Sequence, residues 1–144
     1  MGFCFDETMA GTMELTRTGE RVPFAFTVHV HAPSMLRHLR DGKATMRGTV
    51  EAPGLAAAAP LDGEMTLRPI GKKVVRYAFE FTGDDGARYR FEGQKDIRWL
   101  DAARTWTTLP GEIRDASGAV VARCDTRFDM RSDWMQFASS FRPA

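Results

Sequence analysis

Apolar and polar residues alternate with a period of two along most of this chain. The clearest instance lies in residues 73–113. Val75, Tyr77, Phe79 and Phe81 alternate there with Val74, Arg76, Ala78 and Glu80. A turn at Asp84-Asp85-Gly86 follows, after which Tyr89, Phe91 and Gly93 alternate with Arg88, Arg90, Glu92 and Gln94. Such a period sends successive side chains to opposite faces, so two runs joined by a glycine-containing turn predict a β-hairpin.

The same pattern predicts strands elsewhere. Phe3, Phe5, Met9, Gly11, Met13 and Leu15 share one parity, and Phe24, Phe26, Val28 and Val30 form the inner face of a second strand. Further strands are expected over 44–52, from Leu61 to Arg68, from Thr105 to Ile113 and from Val120 to Met130. Pro110 suggests an edge or a bulge. The run Leu55-Ala56-Ala57-Ala58-Ala59 reads as a loop. Two helices are expected. A short one follows Ser34, whose hydroxyl can cap it, with Met35, Leu36 and Leu39 on one face. The other ends the chain, with Trp134, Phe137, Ala138 and Phe141 as its apolar stripe.

Gly11, Gly48, Gly63 and Gly93 sit inside strands on the apolar parity, and Gly111 lies within another. Glycine weakens a flat strand, so inward glycines point to tight bending or close backbone approach. A curved sheet that closes on itself accounts for this and removes the edges of an open sheet. The expected fold is therefore all-β: an antiparallel, calycin- or lipocalin-like barrel of about eight strands, with a β-sandwich as the alternative.

At 144 residues, 43% hydrophobic and 27% charged, the chain reads as one globular domain. Its net charge of +1 and the lack of a Lys/Arg run offer nucleic acid no electrostatic footprint. No apolar stretch approaches the roughly 20 residues of a membrane span, and the start MGFCFDETMAG has no basic segment before an apolar core. These features lead to the expectation of a cytoplasmic protein with Cys4 and Cys124 reduced.

The polar constellations are few. His29 and His31 share a strand face near His38, but no Cys or carboxylate stands beside them at ligand spacing, so the reading is a polar face and no metal is expected. Lys95 falls on the apolar parity of Phe91 and Ile97, and Glu7 falls on that of Phe5 and Met9. An inward lysine needs a partner or water. The pair predicts either a buried ion pair or the polar end of a ligand site, unless Lys95 reaches solvent at the barrel mouth. Trp106 and Thr107 supply a ring and a hydroxyl suited to a pocket wall. Tyr89, Met46 and Met65 complete the expected lining, since thioethers repack cheaply. No serine stands in a nucleophile elbow, so no catalytic residues and no cofactor are expected.

The segment FTGDDGARYRFEGQKDIRWLDAARTWTTLPGEI, with HAPSMLRHLRDGKATMRGTVEAPGLA upstream, resembles a domain that accompanies the catalytic region of bacterial glucose-methanol-choline (cholesterol-oxidase-like) flavin oxidoreductases. The matching phrases are F-T-G-D-D-G, F-x-G-Q-K-D and T-T-L-P-G. The chain lacks G-x-G-x-x-G after an N-terminal strand, so the resemblance implies an accessory or stand-alone relative. It brings no catalytic residues with it. Two functions follow as expectations. One is a non-catalytic module that holds an apolar, lipid- or sterol-like molecule in a cavity of about 300–1,000 Å³. The other is an interaction domain that assists a separately encoded oxidoreductase or pairs with itself as a homodimer.

Overall fold

A computed structural model describes residues 3–32, 42–68, 74–96, 108–128 and 142–143. The strands in chain order are β1 (Phe3–Leu15), β2 (Arg21–Ala32), β3 (Lys43–Ala52), β4 (Ala56–Arg68), β5 (Val74–Thr82), β6 (Arg88–Asp96), β7 (Thr108–Asp115), β8 (Val120–Arg127) and β9 (Arg142–Pro143). Each strand from β1 to β8 pairs antiparallel with the next, and β8 returns to pair with β1. The result is a closed, up-and-down, eight-stranded barrel, which overturns the sandwich alternative. The two residues of β9 extend the pairing of β1 at Phe3 and Cys4. Both expected helices fall on residues outside the described ones.

The alternation in the sequence becomes the two faces of the wall. In β5, Val75, Tyr77, Phe79 and Phe81 are buried while Arg76 and Glu80 are exposed. Closure demands strong curvature, and the glycines supply it. A Cβ built on Gly63 would lie 2.0 Å from the Ala78 carbonyl oxygen and 2.5 Å from Phe79 Cα. Only a residue without Cβ lets β4 and β5 approach this closely. Farther round the wall Gly93 pairs with Gly111, and the Phe91 ring lies over both, within 3 Å of where either Cβ would be. The missing side chains make room for that ring.

Residues 56–59 are a correction. They begin β4, with Ala59 opposite Val50. Alanine carries no branched or aromatic side chain to mark a strand. The ladder also shifts between Val50 and Ala52, and Ala58 takes a positive φ of 46°. That irregularity spaces the buried Ala56 and Ala59 by three residues and hides the alternation.

The tight turns between β1 and β2, β3 and β4, β5 and β6, and β7 and β8 all lie at one end of the barrel. Two of them are tied together. Asp84 donates its backbone N–H to Leu55 O at 2.8 Å and accepts from Ala57 N–H at 3.1 Å. Aromatic rings fill the adjoining interior. Phe79 stacks on Phe91 at 4.8 Å and meets Phe26 at 5.1 Å, while Phe24 stacks on Phe91 at 5.7 Å. Such pairs add about 0.5–1.5 kcal/mol each beyond the burial of their area. This end is an aromatic plug.

Candidate functional site at the open rim

Toward the end away from the tight turns, β6 pairs with β7 from Tyr89 to Gly93, and among the described residues Gln94, Lys95 and Asp96 pair on the β5 side. Pro110 stands one residue beyond the last β6–β7 pair, where its missing N–H deprives no ladder of a donor. β1 likewise pairs with β8 only from Ala10 to Leu15, leaving Phe5 to Met9 paired with β2 alone among the described residues. Lys95, on β6, and Glu7, on β1, lie on two sides of the barrel interior toward this end.

They meet across it. Lys95 Nζ lies 3.7 Å from Glu7 Oε1, and the two residues are only 6% and 9% exposed. Tyr77, from β5, donates its hydroxyl to the same Glu7 oxygen at 2.5 Å. The Tyr77 ring also lies under the lysine, 5.2 Å from Nζ to centroid, a cation–π contact strengthened by desolvation. Three strands therefore contribute one acid, one phenol and one amine to a single inward cluster.

The electrostatics follow from burial. Desolvation pushes the Lys95 ammonium below its ordinary value, against the pull of Glu7. The Tyr77 phenol is held well above its usual range, first by burial, then by the Glu7 charge and by the hydrogen bond to Glu7. Tyr77 thus stays a donor and its proton keeps the buried carboxylate solvated. At 3.7 Å the ammonium and the Glu7 carboxylate form a buried ion pair.

The inner residues beside the cluster are smaller than those of the plug. Glu7 pairs with Val28, Lys95 with Val75, and Tyr77 with Met65 and Gly93. Met46 pairs with Val30 and is fully buried. Met46 and Met65 therefore belong to this half of the barrel. Tyr89 does not. It stacks on Phe81 at 5.6 Å and donates to Asp85 at 3.1 Å, six positions before Lys95 along β6 and so roughly 20 Å away. Trp106 and Thr107 lie outside the described residues.

Elsewhere the polar residues read as structure. His29 Nδ1 sits 2.7 Å from Asp6 Oδ1 on the outer face, and no cluster of three potential metal ligands occurs among the described residues. Cys4 and Cys124 are both buried and free. An open depression of about 990 Å³ lies on the outside of the wall over β3 to β6, lined by Arg47, Asp62, Glu64, Arg76, Glu80 and Arg90 among others. Glu80 there pairs with Arg88 at 3.1 Å and with Arg90 at 3.4 Å. Mixed, solvated charges of this kind make an ordinary barrel exterior, and the site chemistry is on the other side of the wall.

Sequence parity found Lys95 and Glu7 but not Tyr77, which it placed among the core aromatics. The signal was present: Tyr77 is one of two tyrosines in the chain, and a buried phenol needs a hydrogen-bond partner. No described helix is long and apolar enough to cross a membrane. Comparison with protein-family models, curated proteins and solved structures finds no match.

Proposed function

We propose that this barrel binds a small, largely apolar molecule whose polar head meets Glu7, Tyr77 and Lys95. The observation that carries the reading is the convergence of these three residues, from three strands, on the inner face of the barrel. A barrel needing only stability gains little from them, because a buried ion pair is often no better than apolar residues of equal volume. A binding site gains orientation from a few polar groups in an apolar lining. The adaptable thioethers of Met46 and Met65 suit an apolar body. A long-chain or fused-ring molecule with a neutral polar head fits this chemistry better than a fatty-acid anion, whose carboxylate would meet the charge of Glu7.

Titration with the fluorescent apolar probe N-phenyl-1-naphthylamine tests the reading. Saturable binding of one probe per chain is expected, competed by a long-chain alcohol and abolished by Val28→Trp, which sets an indole opposite Glu7 on the inner face. Absence of saturable binding, or binding unchanged in a folded Val28→Trp variant, would overturn it.

A further inference from the structure

We propose that Lys95 captures a carbonyl compound, a long-chain or ring-bearing aldehyde, as a covalent imine within the barrel. The inference deepens the binding function proposed above and rests on it.

Three features of the cluster point this way. First, the amine is nearly enclosed, at 6% exposure, between the Glu7 carboxylate at 3.7 Å and the face of Tyr77. Second, a carboxylate stands where the proton must go. Third, Tyr77 donates a 2.5 Å hydrogen bond to the same Glu7 oxygen, so the carboxylate stays in place while the lysine changes its bonding. Burial also favours the neutral, nucleophilic amine.

The step balances with these groups alone. Glu7 takes one proton from the Lys95 ammonium, and the freed nitrogen pair attacks the carbonyl carbon. Glu7 returns that proton to the carbonyl oxygen, which gives an N-protonated carbinolamine and leaves Glu7 a carboxylate again. A second proton from nitrogen leaves through Glu7 with that hydroxyl, which departs as water. The C–O bond is replaced by a C=N bond, and the product is a protonated imine plus one water. Its positive charge replaces that of the ammonium, so Glu7 remains the counter-ion. Nothing is oxidised or reduced. A neighbouring anion and an apolar wall would both slow hydrolysis of the imine once formed.

The chain has four lysines, Lys43, Lys72, Lys73 and Lys95, which makes the site easy to map. The intact protein is incubated at neutral pH with decanal and sodium cyanoborohydride, and the reduced adduct is located by peptide mass spectrometry. Lys95 is expected to label at least about tenfold faster than the exposed Lys43, as desolvated nucleophilic lysines do. Decanol should compete, and Glu7→Gln should slow labelling at Lys95 while leaving Lys43 unchanged. Labelling spread evenly over the lysines, or absent from Lys95, overturns the proposal. If decanol displaces the naphthylamine probe while decanal leaves Lys95 unlabelled, carbonyl capture fails and the binding function stands. If neither compound displaces the probe, both fail.

Discussion

Lys95 on β6 and Glu7 on β1 approach to 3.7 Å across strands that share no backbone hydrogen bond. The interaction therefore ties together two strands that are not neighbours in the barrel, and its removal has an expected signature. Lys95→Met leaves a buried carboxylate with only the Tyr77 proton, at a cost of about 3–5 kcal/mol. The double variant Lys95→Met with Glu7→Met should recover much of that loss. Urea unfolding of both singles and the double is expected to give a coupling above about 1 kcal/mol. Additive effects would show that the two charges do not depend on each other.

Tyr77→Phe removes the donor to Glu7 while keeping the ring beneath Lys95. A hydrogen bond to a buried charge contributes about 1.5–3 kcal/mol, and a loss of that size in urea unfolding is expected. Its effect on Lys95 labelling distinguishes the phenol that holds the carboxylate from a phenol that merely fills space.

Stability should fall steeply in alkali. Tyr77 and Cys124 both have folded values above their ordinary 10.0 and 9.0, Cys124 reaching about 12 because of burial and then the charge of Glu112. A group raised on folding lends stability that is complete below its unfolded value and lost as pH climbs through its folded value. Cys124 thus acts from pH 9 to about 12, and Tyr77 from 10 upward. Lys95 is lowered on folding and works in the opposite sense, but only up to its ordinary 10.5. Above that pH the slope belongs to Tyr77 and Cys124, with a further part from Tyr89, which burial and its bond to Asp85 raise above 10.0. Urea midpoints measured across this range should flatten in Tyr77→Phe and in Cys124→Ala. An unchanged slope in both would mean that neither proton is held by the fold.

Gly63→Val should be among the most damaging single changes in the wall. Its Cβ would overlap the backbone of Ala78 and Phe79, which no rotamer change relieves. A loss of about 3 kcal/mol or more, or failure to fold, is expected, and Gly63→Ala should already lower the melting temperature. A melting temperature unaffected by both would contradict the close approach of β4 and β5.

Asp84→Ala tests the tie between two turns. Losing the bond to Ala57 N–H should cost about 1 kcal/mol, read as a modest fall in melting temperature. The backbone bond from Asp84 to Leu55 survives the change, so a larger loss would show the side chain to do more than this.

The wall of the barrel was legible in the sequence because alternation is a direct consequence of strand geometry. Val75 through Phe81 could face inward only in that register, and the inward glycines marked the curvature that closure needs. Lys95 and Glu7 were legible for the same reason, as charges on the wrong parity. Tyr77 was not, because a phenol on an apolar face looks like any aromatic until its hydroxyl is seen to have an acid within reach. The four alanines at 56–59 were illegible for a different cause. They carry no packing signal, and the irregular start of β4 erased the period. Tyr89 shows the limit of parity, which assigns a side chain to the inside but not to a height along the axis.

Every pairing in the barrel but one joins consecutive strands. The exception sets Met13 against Cys124 and Gly11 against Thr126. During synthesis β1 therefore emerges before β8, finds β2 at once, and carries a bare row of backbone donors and acceptors until β8 has been made. Hairpins form locally and fast, whereas this last seam must bring together the first and last strands of the barrel. The newborn protein is a templating edge for as long as that seam stays open. A slow phase sensitive to substitution at Met13 and Cys124 would mark the moment when a ribbon becomes a vessel.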